Sequence, residues 1–128
     1  MKYFPTAALF IAGVIHLMPI SGAAGVPTLA RLYGIEISDP NIAILLQHRA
    51  LLFGVLGAIM LFAIPIESLR ITALFAGLVS ATSFIGIAVW SGEYNHAIQR
   101  VVIADVIASA LLAVALIVTF WFRRQAST

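Results

Sequence analysis

Cysteine is absent from all 128 residues, so the chain has no disulfide frame, no thiol nucleophile and no thiolate metal site. Charge is almost as scarce. Only 9% of residues are Asp, Glu, Lys or Arg, where soluble domains carry roughly a quarter. With 62% hydrophobic residues and a mean hydropathy of +1.11, the chain has too little polar surface to cover a water-soluble globule. That excludes a soluble enzyme, a nucleic-acid binder and a disordered tail. The 7 basic residues exceed the 5 acidic ones by a formal net charge of +2, too few for a phosphate-binding patch. Glycine-rich phosphate loops, nucleophile elbows and metalloprotease helices are also missing, so no catalytic residue and no metal site are assigned.

Long apolar runs are what the chain has in abundance. A helix needs about 20 apolar residues to cross a hydrocarbon core of about 30 Å, and four stretches qualify: 3–20, 41–64, 71–90 and 101–122. They predict one transmembrane domain covering residues 1–128, an all-α, antiparallel four-helix bundle with outer loops at 21–40 and 91–100. Backbone groups in lipid must bond internally, and runs this long and unalternating do not fit a barrel. The punctuation agrees. Pro5 and Pro40 suit a first helical turn, Asp39 suits an N-cap, and Pro19 and Gly22 close the first span. Residues 64–70 make a connection short enough for a helical hairpin. Pro27 and Gly34 bracket a short helix inside the first outer loop. Lys2, the first apolar run and Ser21-Gly22-Ala23 resemble a secretory signal, but a run of this length also spans a membrane, and we expect a retained first helix. Basic residues in short loops set orientation. Lys2, Arg70, Arg123 and Arg124 fall on one side and Arg31 and Arg100 on the other, which places both termini in the cytoplasm. Trp90 and Tyr94 then suit the outer aromatic belt, and Trp121 and Phe122 the inner one.

This topology gathers the ionisable groups within the spans into the outer half of the membrane. At 1.5 Å per residue, His48 and Arg49 lie roughly 10–13 Å below the outer surface and Asp105 roughly 6–12 Å below it. His16 sits near the outer end of its span. An isolated charge at such depth costs a few kcal/mol, so Arg49 and Asp105 are expected to face each other, with His16, Gln47 or His48 completing the hydrogen bonds. Ala50, Gly54, Gly57 and Leu61 continue from Gln47 as a narrow stripe suited to close helix contact. Two readings of the cluster stay open. It is either a structural ion pair fixing register among apolar helices, or the lining of a pocket that binds a ligand. At the outer rim, Tyr94, His96 and Arg100 are candidates for a headgroup or anionic ligand. No cofactor is expected, haem held by His16 and His48 being the alternative.

Three segments carry a resemblance. Asp39-Pro40-Asn41, then His48-Arg49-Ala50-Leu51-Leu52-Phe53-Gly54, and Tyr94-Asn95 followed by Arg100-Val101-Val102-Ile103-Ala104-Asp105 resemble a group of uncharacterised bacterial four-helix membrane proteins, over most of the chain. In overall shape that group is similar to the DoxX-like families, whose better-known members associate with membrane redox enzymes and quinones. The resemblance implies a multi-pass protein of the bacterial inner membrane. Some similar sequences carry the label phosphopantetheine adenylyltransferase, but this chain lacks the HxGH nucleotide-binding signature. The expected function is therefore binding of a small hydrophobic or anionic ligand, such as a quinone or lipid, by the outer polar cluster. The alternatives are a structural accessory subunit of a larger membrane complex and a proton-coupled small transporter using Asp105. Expected partners are the lipid bilayer and a membrane protein or second copy, with no nucleic acid.

Overall fold

The computed structural model describes residue 1 and residues 3–126. It contains five α-helices: α1 (Phe4–Leu17), α2 (Val26–Tyr33), α3 (Pro40–Phe62), α4 (Arg70–Ser91) and α5 (His96–Ala126). Two 3-10 segments, Met18–Ala24 and Glu67–Leu69, link them, and no strand occurs among the described residues. Four helical stretches are long and apolar enough to cross a membrane: Phe4–Ala24, Pro40–Phe62, Glu67–Ser91 and His96–Gln125. The chain is a multi-pass helical membrane protein by length and composition of its helices.

The helix ends follow from local chemistry. Asp39 caps α3, its Oδ1 accepting from the Asn41 N–H at 2.8 Å, with Pro40 directly inside. Gly34 ends α2 in the left-handed region (φ 62°), where its N–H bonds to the Ala30 carbonyl at 2.8 Å. Two boundaries differ from the sequence expectation. Pro19 does not end the first span. It lacks the N–H that an α-helix needs and its ring crowds the preceding turn, so the chain tightens into the 3-10 segment and continues to Ala24. The last helix starts at His96 rather than near residue 101, because the Asn95 Oδ1 accepts from the Ile98 N–H at 2.9 Å and caps it.

The interior is built from small residues. Ala8, Ala12, Ala63, Ala73, Ala81, Ala108 and Ala115 are buried with Leu9, Met60, Leu74 and Leu112. Large apolar side chains point the other way: Leu45, Phe62, Ile87, Ile117 and Trp121 are all exposed, and Trp90 is 93% exposed. Small residues inside and bulky apolar ones outside suit a hydrocarbon solvent, which supplies no hydrophobic drive between helices and leaves close packing to hold them. α1 packs on α3 and α5, and α4 packs mainly on α5. At the tightest crossing, a Cβ on Gly57 would lie 2.7 Å from the Gly13 carbonyl oxygen and 2.9 Å from the Leu17 nitrogen. Arg70 fastens the turn before α4, donating to the Ile64 carbonyl at 2.8 Å and pairing with Glu67 at 3.2 Å. The alanine-lined core occupies the end of the bundle near the α3–α4 turn. The opposite end, where α2 lies, holds the polar groups.

Candidate ligand cavity

The polar end of the bundle encloses a cavity of about 380 Å³. Four helices supply its chemistry. His16 comes from α1, Arg31 and Tyr33 from α2, Arg49 and Phe53 from α3, and Arg100 and Asp105 from α5. Ile15, Leu32, Val101 and Ala104 provide apolar wall. Arg31 and Arg100 are exposed, Arg49 is half-buried, and Asp105 and His16 are only 5% and 2% exposed. Cationic groups therefore run from the surface inward, with a single carboxylate at depth.

The arrangement around Arg49 differs from the expected ion pair. Arg49 and Asp105 line the same cavity but form no ion pair with each other, and neither has a hydrogen-bond partner among the described residues. Instead the guanidinium sits among three rings, 4.8 Å from the centroid of Phe53, 5.1 Å from Phe84 and 5.6 Å from Tyr33. Aromatic faces stabilise a cation where water is scarce, and arginine stacks on them better than lysine. This aromatic box, drawn from α2, α3 and α4, gives the cation partners that sequence reasoning did not point to.

His16 is fixed by its own helix. Its Nδ1 lies 2.8 Å from the Ala12 carbonyl oxygen, which can only accept, so Nδ1 carries the hydrogen. In the neutral ring Nε2 then presents a lone pair, and it is buried with no partner. The ring leans on Phe53 at 5.7 Å. Ser109, four residues beyond Asp105 on α5, has a buried hydroxyl that is also without a partner. Unpartnered buried polar atoms are uncommon in folded proteins; of the three among the described residues, the Arg70 Nε lies at the α3–α4 turn, the Ser109 hydroxyl lies off the cavity lining, and the His16 ring alone belongs to the cavity.

The structure sorts the sequence candidates. It brings His16, Arg49, Asp105 and Arg100 to the cavity. Gln47 is half-buried and does not line it, and His48 is exposed on the outer side of α3. Successive helical residues point about 100° apart, so equal depth did not mean equal face. For the same reason His48 lies off the cavity that His16 lines. Among the described residues no group of three or more His, Cys, Asp or Glu could hold a metal ion. Tyr94 and His96 are exposed and lie off the cavity lining, His96 contacting the Gln99 Oε1 at 3.2 Å. Sequence reasoning missed Tyr33, Arg31, Phe53 and Phe84. Leu29, Leu32 and Tyr33 do show i, i+3, i+4 spacing, which would have turned Tyr33 inward.

Asn95 locks this end together. Its Nδ2 donates to the Tyr33 carbonyl at 2.8 Å and to the Gly34 carbonyl at 3.0 Å, while its Oδ1 caps α5. One side chain thus ties the end of α2, which carries Tyr33, to the start of α5, which carries Arg100 and Asp105.

Comparison with known proteins is blank: no protein family, no curated protein and no solved structure matches the chain. The cavity must be read from its own chemistry.

Charge is the decisive part of that chemistry. Three of the 7 basic residues line the cavity against one of the 5 acidic ones, so it carries the whole formal net charge of +2. The rest of the chain, with four cations and four anions, is formally neutral. A cleft lined by one sign of charge and by low-dielectric walls attracts the opposite charge.

Proposed function

We propose that the protein is a small integral membrane protein of the bacterial inner membrane whose cavity binds an amphiphile with an anionic end, the lipid class fitting best. The carrying observation is the cavity itself: three arginines, one carboxylate and apolar walls, with none of the charged groups paired to another. An anionic group would meet Arg31 and Arg100 at the mouth and Arg49 further in. The apolar part of the ligand would lie on Ile15, Leu32 and Val101 or extend into surrounding lipid. The bundle is read as antiparallel, which the facing of Gly13 with Leu61 and of Ile20 with Gly54 supports for α1 and α3. With both termini cytoplasmic, the cavity faces the outer leaflet.

Native mass spectrometry after extraction in mild detergent tests this. A bound anionic amphiphile on the wild type, reduced in Arg100→Gln, is the expected result. Arg100 is exposed, so the change should leave the fold intact. A bare chain that shows no mass shift with any short-chain anionic phospholipid would refute the proposal.

A structural accessory subunit remains the second reading, favoured by His48. An exposed imidazole on a membrane-crossing helix is better placed against a protein partner than against acyl chains. Cross-linking from position 48 in native membranes would capture a distinct subunit under that reading and only lipid under the first. Proton-coupled transport has least support, because the core of the other half, among the described residues, is packed with alanine and leucine and holds no ionisable side chain.

A further inference from the structure

An anion alone leaves the cavity half explained. Three guanidinium groups are suited to a phosphate or carboxylate, yet the same cavity contains Asp105, which is 5% exposed and would repel one. Asp105 makes no contact ion pair with Arg49, whose cation is boxed by Tyr33, Phe53 and Phe84. It accepts no hydrogen bond from any described residue. Nearby, the buried Nε2 of His16 is a second acceptor without a donor. A carboxylate this buried and without a donor is costly, and its place on the cavity lining leaves it open to a donor carried by a bound ligand.

Resting on the reading of the cavity as an anionic-amphiphile site, we infer that its ligand carries a hydrogen-bond donor, a hydroxyl or ammonium, a few bonds from its anionic group. The arginines take the anion and Asp105 takes the donor. A phospholipid headgroup ending in a hydroxyl or amine has this chemistry, and so does a free hydroxylated phosphate. Opposed charges on one cavity wall make the cavity selective. An anion without a donor would bring its charge near Asp105 and gain nothing there, while a bare alcohol or amine would leave the arginines unsatisfied.

Two probes of equal charge and equal chains isolate the donor: dihexanoyl phosphatidylglycerol and dihexanoyl phosphatidylmethanol, titrated into the full-length protein in detergent and followed by native mass spectrometry. A hydrogen bond to a charged acceptor typically adds at least about 1.5 kcal/mol, so the glycerol lipid should bind at least about tenfold more tightly. Asp105→Asn should bring the two within about threefold, chiefly by weakening the glycerol lipid. Equal binding in the wild type, or a preference unchanged in Asp105→Asn, would overturn the donor inference while leaving the amphiphile site standing. Failure of both lipids to bind would remove that site and the inference with it. Glycerol 3-phosphate is the third probe. If it binds as tightly as the glycerol lipid, the donor pairing stands and the ligand is a soluble hydroxylated anion; the expected result is much weaker binding for lack of the apolar part.

Discussion

Replacing Arg49 by lysine keeps the charge and removes the plane, which separates the aromatic box from any long-range attraction to Asp105. The guanidinium carbon lies within 5.6 Å of three ring centroids. A cation over an aromatic face contributes about 0.5–1 kcal/mol when exposed and about 2 kcal/mol when desolvated. One cation cannot sit ideally over three rings, and Arg49 is half-buried, so the box as a whole is worth about 2–3 kcal/mol. An ammonium group is a compact point charge and would keep a good position over one ring at most. Arg49→Lys should therefore lower stability by about 1–2 kcal/mol. Reversible unfolding in mixed micelles with increasing SDS measures it. The control is the double replacement Phe53→Leu with Phe84→Leu, which retains apolar bulk but deletes two faces of the box. In that background the lysine change should cost under about 0.5 kcal/mol, the difference being the coupling between cation and rings. A neutral Arg49→Lys, or a cost that persists undiminished without the two phenylalanines, would refute the box and return Arg49 to Asp105.

Three further changes probe the frame around the cavity. Gly57→Ala puts a methyl against the Gly13 carbonyl and the Leu17 backbone, so α1 and α3 must part; a loss of about 1–3 kcal/mol is expected in the same unfolding assay. Gly86→Ala meets nothing within 4 Å and should be neutral or stabilising by up to about 1 kcal/mol. Asn95→Asp keeps the acceptor that caps α5 but loses both donors to the end of α2. Hydrogen exchange should then rise across residues 26–34 while the first turn of α5 stays protected, and equal exchange in both places would show that Asn95 is no tie.

Much of this was legible in one dimension. The four crossings could be read because an apolar run of that length has few other uses, and Ala50, Gly54 and Gly57 could be read as a contact stripe because small residues in lipid-facing helices are there to let backbones approach. Pro27 and Gly34 bracketed α2 correctly for reasons of backbone geometry. His16, Arg49 and Asp105 stood out because an ionisable group inside an apolar run needs a reason. What failed was the step from depth to contact. His48 and Arg49 are neighbours in sequence and depth, yet one faces outward and the other inward. The Arg49–Asp105 pair was inferred from matched depth and opposite charge, and that reasoning overlooks aromatic faces as partners for a cation. Phe84 carried no local signal at all. It meets Arg49 across two helices, and only the packed bundle brings them together.

The few charges also bear on orientation once the cavity is known. Arg31 and Arg100 count as the outer-side exceptions in a bare tally of loop charges, four basic residues against two. Both line the cavity, so on the proposed reading their place follows from the ligand site rather than from membrane insertion. Setting them aside leaves Lys2, Arg70, Arg123 and Arg124 on the proposed cytoplasmic side and no basic loop residue opposite, a clean bias under the rule that sets topology. The same two arginines that weaken the topological signal thus strengthen the functional one. Their presence on a face otherwise carrying only Glu36, Asp39 and Glu93 among charged loop residues supports a role in drawing an anion toward Arg49.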